Sequence, residues 1–249
     1  INSFTTAWQL NFGVAQEHST LEQDREVIAS GYESNLAGIS LMLDSTELYR
    51  ASISPEDGRR IKLTAEKYDA LGGGYYRGGN YALDWNEFIT TWPNQVLALR
   101  WVEASADDES HPLALGGFHD SYETLAGLIG FGKTEYALRG YETGIPALSG
   151  DRLRLQALDY RVPLASVFDG FMAPPIGLGK LSGTVFYDRG AAWTEGADRR
   201  FYAGAGAEIT GELLLGFDLL SLNITLGAAK GLDDTLGTNE VYARLGAAF

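Results

Sequence analysis

Along residues 220–228 the side chains alternate, with Leu220, Leu222, Ile224, Leu226 and Ala228 on one side and Ser221, Asn223, Thr225 and Gly227 on the other. Successive Cβ atoms of a strand point to opposite faces, so period two sustained over nine residues reads as strand and not helix. The last nine residues repeat the pattern: Val241, Ala243, Leu245, Ala247 and Phe249 oppose Tyr242, Arg244, Gly246 and Ala248. Residues 201–215 extend it further, with Phe201, Ala203, Ala205, Ala207, Ile209, Leu213 and Leu215 on the apolar side. Such lengths exceed the five or six residues of an ordinary globular strand.

Earlier segments follow the same rule, among them Phe4, Thr6, Trp8, Leu10 and Phe12, and the trio Ile39, Leu41 and Leu43. About twelve strands are predicted, near residues 3–15, 32–44, 46–55, 59–68, 81–91, 95–105, 110–118, 152–164, 180–192, 200–216, 218–230 and 240–249. Turn residues punctuate them, as at Pro55-Glu56-Asp57-Gly58 and Trp92-Pro93-Asn94. Residues 15–31, 69–80, 119–151 and 193–199 read as long polar connections, all at one end of the strands. Long strands joined alternately by tight turns and long loops predict an all-β fold: a closed antiparallel transmembrane β-barrel with long extracellular loops. A soluble sandwich is the competing architecture.

Composition narrows the function classes. There is no Cys, which excludes disulfides, thiolate metal sites and a thiol nucleophile. Glycine at 31 residues, aromatics at 12% and only 2 Met suit twisted strands better than packed helices. A formal charge of −14 would repel phosphate backbones, so nucleic acid is not an expected partner. No apolar run is long enough for a membrane helix, and the start lacks a signal-peptide pattern, which is the expectation for a mature or truncated chain. No linker or internal repeat divides residues 1–249, so a single domain is expected.

Four features stand in order: Leu138-Arg139-Gly140-Tyr141 in the longest connection, Leu158-Asp159-Tyr160-Arg161, then Phe186-Tyr187-Asp188-Arg189-Gly190, and the terminal aromatic strand. Together they resemble the BamA/TamA superfamily of outer-membrane assembly and translocation barrels, the bacterial surface antigen family. The resemblance is firm over about residues 116–249 and weaker before them. It implies that Leu138, Arg139, Gly140 and Tyr141 form an infolded-loop lock and that Phe186, Asp188 and Gly190 are its inner-wall partners. Leu138 departs from the family's Val while keeping an apolar side chain.

The residues support that pairing on their own. Alternation along 181–190 sends Val185 and Tyr187 to one face and Phe186 and Asp188 to the other. A guanidinium from the loop would satisfy Asp188 bidentately and lie over Phe186. Asp159 is harder to place. If Leu153 and Leu155 face outward, strict alternation sends Asp159 outward too, unless a bulge near residues 156–158 restores the phase.

The resemblance implies integral residence in the bacterial outer membrane and help with protein or lipid insertion or translocation. The alternatives are a membrane anchor or scaffold for a periplasmic or surface partner, or a small-solute pore. Expected partners are outer-membrane lipids and lipopolysaccharide, the cell's barrel-assembly machinery, and a periplasmic or client protein. The terminal set Val241, Ala243, Leu245, Ala247 and Phe249 would be the insertion signal. The family has sixteen strands and periplasmic polypeptide-transport repeats. About twelve strands are read here and no such repeat, so the chain is expected to be a reduced member or a piece of one. No enzyme activity, cofactor or metal site is expected: the three His, at 18, 111 and 119, lie in connections, and His119-Asp120-Ser121 is a sequence string and not a triad.

Overall fold

A computed structural model describes residues 6–23, 26–49, 52–120, 131–172, 175–216 and 219–247. Ten long strands form one antiparallel sheet: β1 (Ala7–Gln23), β2 (Glu26–Asp44), β3 (Gly58–Tyr68), β4 (Gly78–Trp92), β5 (Gln95–Ala106), β9 (Arg152–Met172), β10 (Pro175–Trp193), β11 (Tyr202–Leu215), β12 (Leu220–Gly231) and β13 (Asn239–Ala247). They pair in the order β1-β2-β3-β4-β5-β9-β10-β11-β12-β13. Between β5 and β9 an insert supplies a second, three-stranded sheet from β6 (Leu113–Leu115), β7 (Glu135–Tyr136) and β8 (Ser149–Gly150), with a 3-10 turn at Pro146–Leu148.

Apolar packing sits where the insert lies on the sheet. Leu113, Leu115, Tyr136, Leu138, Tyr141 and Leu148 pack with Val102 and Ala104 of β5, Leu153 and Leu155 of β9, Ala192 of β10 and Tyr202 of β11. Leu138, Tyr141, Leu148 and Leu153 are completely buried. Each such side chain contributes on the order of 1.5–3 kcal/mol on removal from water. A smaller cluster fixes the returning chain, with Phe131 buried against Leu36 and Tyr68. Here Gly38 of β2 is required, because a Cβ at that position would meet the Phe131 ring at 2.5 Å.

Three strand expectations are corrected. Residues 15–23 and 26–31, expected as loop, are strand: β1 and β2 pair in register from Ala7↔Asp44 to Thr20↔Gly31. Residues 46–55 contain no described strand, and the β2–β3 connection holds only the bridge Glu47↔Asp57. Residues 110–118 contribute the short β6 to the insert and not a wall strand.

The closed transmembrane barrel is also corrected. Closure requires the end strands to exchange backbone hydrogen bonds. Among the described residues β1 pairs only with β2, and β13 only with β12. The sheet is open, and the ion pairs of Arg139 with Asp159 and Asp188 are buried on the face that holds the insert. Membership of the BamA/TamA superfamily, integral outer-membrane localisation, assembly or translocation activity, and the anchor, scaffold and pore alternatives all require a closed barrel and are withdrawn with it. No described helix is long and apolar enough to cross a membrane.

Candidate functional site: two ion networks holding the insert

The first network surrounds Arg139. Its Nε donates to Asp188 Oδ2 at 2.6 Å and its Nη2 to Asp188 Oδ1 at 2.7 Å, a two-pronged pair of the kind that fixes geometry as well as energy. Nη2 also donates to Asp159 Oδ1 at 2.8 Å, and Nη1 to Glu208 Oε1 at 3.3 Å. The guanidinium lies 3.5 Å from the centroid of the Phe186 ring. One loop cation thus touches inner-face side chains of three consecutive strands, β9, β10 and β11.

The neighbours of Arg139 set its position. Leu138 is buried in the insert core, and the Tyr141 hydroxyl donates to the Ala203 carbonyl oxygen at 2.7 Å. Gly140 has φ +91°, and a Cβ there would collide with the Gly231 backbone nitrogen. Gly190 leaves space for the insert, since a Cβ on it would meet Leu115 Cδ1 at 2.8 Å.

Asp159 lies on the inner face, and no bulge takes it there. The β9–β10 register runs without a shift from Arg152↔Trp193 to Pro163↔Ser182. Leu153 and Leu155 share the inner face with Asp159 because the insert gives them an apolar core to bury in. The condition that Leu153 and Leu155 face outward is therefore not met, and alternation alone brings Asp159 inside.

Charges within the network divide the carboxyls. Burial works against Asp159, yet Arg139 and Arg161 together hold it down at about 2. Burial pushes Asp188 above the usual carboxylate range, against the pull of Arg139. Burial also opposes the Arg139 charge, but Asp188, Asp159 and Glu208 keep its pKa well above that of a free guanidinium. Glu208 Oε2 accepts from Arg244 at 2.7 Å, and Oε1 accepts from the Tyr242 hydroxyl at 2.6 Å. Tyr242 in turn stacks on Phe118, with centroids 4.7 Å apart and planes within 2° of parallel.

A second network holds the other side of the insert, and the sequence reading did not single it out. Lys133 Nζ lies 2.6 Å from Asp120 Oδ2 and 3.2 Å from Asp84 Oδ2. Arg100 Nη2 contacts the same two carboxylates, at 2.8 and 2.7 Å. Burial opposes ionisation of Asp84, but Arg100 and Lys133 hold it at about 2, and Asp120 is lowered by the same two cations. Asp84 and Arg100 could have been found from their inward positions on β4 and β5. Asp120 and Lys133 lie in irregular chain with no periodic signal.

Of the terminal set, Val241, Ala243 and Leu245 are exposed on the outer face of β13 and Ala247 ends that strand. Phe249 lies outside the described residues, as does Ser121 of the His119-Asp120-Ser121 string. His119 packs beside Phe118 with ring centroids 5.0 Å apart, while Asp120 turns into the second network. Among the described residues no group of His, Cys, Asp and Glu is arranged to hold a metal ion.

No protein-family model matches this chain, and no curated protein matches it. The site is therefore read from its own geometry.

Proposed function

We propose that the protein works by binding and not by catalysis, and that the partner of its outer face is the acyl chains of lipid. The observation that carries this reading is that every strand of the large sheet presents a large apolar side chain to the outside. The set runs Leu10, Leu41, Leu63, Trp85, Leu99, Leu158, Val185, Ile209, Leu226 and Leu245, with Leu226 at 60% exposure. Direct partners across the ladder make it continuous, as in Leu10–Leu41–Leu63 and Leu99–Leu158–Tyr187.

Proteins that live alone in water rarely leave more than a few hundred Å² of contiguous apolar surface. A protein partner of standard size would cover about 800 Å² of one side. A surface repeated on ten strands fits a deformable apolar medium better than a single rigid interface. The inner face supports the reading against catalysis, since its acids and bases are engaged with one another in ion pairs.

The test is gel filtration of the purified chain with and without dodecyl maltoside, followed by titration with short-chain phosphatidylcholine. Uptake of detergent and lipid is expected, and Leu226→Glu with Val185→Glu should reduce it. A monodisperse chain that takes up neither amphiphile would refute the proposal.

A further inference from the structure

A cavity of about 570 Å³ lies on the inner face beside both ion networks. The insert bounds one side through Phe118, Ala137 and Arg139, and the β2–β3 connection bounds another through Ile53 and Ser54. That connection is tied in place: Lys180 Nζ of β10 donates to the Ser52 carbonyl at 2.9 Å, and the Thr90 backbone N–H donates to Asp57 Oδ1 at 3.0 Å. Two separate segments therefore border one half-open space, whose size is that of a small-molecule pocket.

The chemistry of the lining selects among ligands. Carboxylates and cations occur in it in equal number, and each is in an ion pair within the two networks. Between them stand Asn86, Ser182, Thr184, Thr210, Asn223 and Thr225. A charged ligand would lose its hydration without gaining an unengaged counter-ion. Some of these groups bond within the wall, Thr210 to Thr225 at 2.8 Å and Asn86 to Asp84 at 3.0 Å, but a hydroxyl or amide has further donor and acceptor capacity that an apolar ligand would leave unmet. A molecule dense in hydroxyls offers donors and acceptors together and meets both demands. Arg161 adds directional donors: its Nη2 donates to Asp159 at 2.8 Å, and its guanidinium lies 5.9 Å from the centroid of the Phe88 ring. Phe88 adds an apolar face on the same wall.

We propose that this cavity is a binding site for a neutral, polyhydroxylated molecule of mono- or disaccharide size. The site is separate from the outer apolar face, and either can fail without the other.

Isothermal titration of the full chain, kept in the buffer or detergent that holds it monodisperse, tests the assignment with glucose, maltose, inorganic phosphate and hexanoate as probes. Saturable binding of glucose or maltose is expected, with none of the two anions. Ser182→Leu, which fills the cavity, should weaken sugar binding at least tenfold, and the near-isosteric Thr184→Val should weaken it severalfold. Both variants should keep the protease resistance of the insert, which reports folding. The proposal is overturned if neither sugar saturates at about 10 mM, some ten times a millimolar Kd. It is also overturned if phosphate or hexanoate binds more tightly than the sugars, or if both folded variants bind sugar as the parent does.

Discussion

Arg139 is the single cation shared by Asp188, Asp159 and Glu208, and this makes the consequences of removing it unequal to those of removing a carboxylate. Arg139→Ala leaves Asp188, 1% exposed, without a guanidinium partner, while Glu208 keeps Arg244 at 2.7 Å and Asp159 keeps Arg161 at 2.8 Å. Stranding buried charge in this way costs on the order of 3–5 kcal/mol. Asp188→Asn keeps the shape of the side chain, and Arg139 retains Asp159 at 2.8 Å and Glu208 at 3.3 Å. The loss is then nearer that of a hydrogen bond to a charged group, about 1.5–3 kcal/mol. In the Arg139→Ala background Asp188→Asn removes a stranded charge, so the double variant should be more stable than Arg139→Ala alone.

The assay is native-state cleavage by chymotrypsin at Tyr136 and Tyr141, which is slow while these residues are buried and follows the population of undocked insert. A change of about 3–5 kcal/mol corresponds to an increase of roughly two to three and a half powers of ten in that population. Equal cleavage of Arg139→Ala and the parent, a larger effect from Asp188→Asn, or strict additivity in the double variant would refute the reasoning.

Three further outcomes follow from the same geometry. Lys133→Met leaves Arg100 alone to serve Asp84 and Asp120, and should undock the start of the insert at a cost of about 1.5–3 kcal/mol, read as faster cleavage after Phe131. Gly204→Ala should loosen Arg139 without touching any charge, because the added Cβ would collide with the Arg139 carbonyl oxygen; overpacking against backbone costs about 1–3 kcal/mol, and unchanged cleavage would count against the close approach. Asp84 and Asp159 are held at about 2, below the ordinary value of about 3.9, so their stabilisation is complete above pH ~4 and lost as pH falls through 2; Asp188, shifted upward by burial, contributes with the opposite sign. Pepsin should therefore begin to cut the insert between about pH 4 and pH 2, and constant resistance across that window would contradict it.

The strands were legible because period two survives in single sequences, and the inward position of Asp188 follows from the alternation of β10 alone. Legibility ended where a side chain's face depends on something distant. Leu153 and Leu155 are apolar and could have faced either way by alternation alone, yet they bury inward because the insert between β5 and β9 folds onto β9. Residues 15–31 are polar enough to read as loop, but paired backbone needs no apolar pattern. Residues 46–55 alternate convincingly and still make only one bridge, since Pro55 and the tie to Thr90 turn them across the strand ends. Closure is of the same kind. Nothing local in β1 or β13 states whether the two meet, and among the described residues each is unpaired on its outer edge.

Gly140 donates to Glu240 Oε2 at 3.3 Å, and the Gly140 carbonyl accepts from the Thr238 backbone, partners about a hundred residues further along the chain. Contacts of that span are completed only after the intervening chain has ordered, because the entropy of closing so large a loop precedes any return from it. During synthesis the insert emerges long before β11, β12 and β13 exist to receive it. Its final seating is thus a late event, and for that interval Tyr136, Leu138 and Tyr141 are without part of their core. The insert then behaves as a latch that reports completion of the sheet: protection of Tyr141 marks the moment the last three strands have joined.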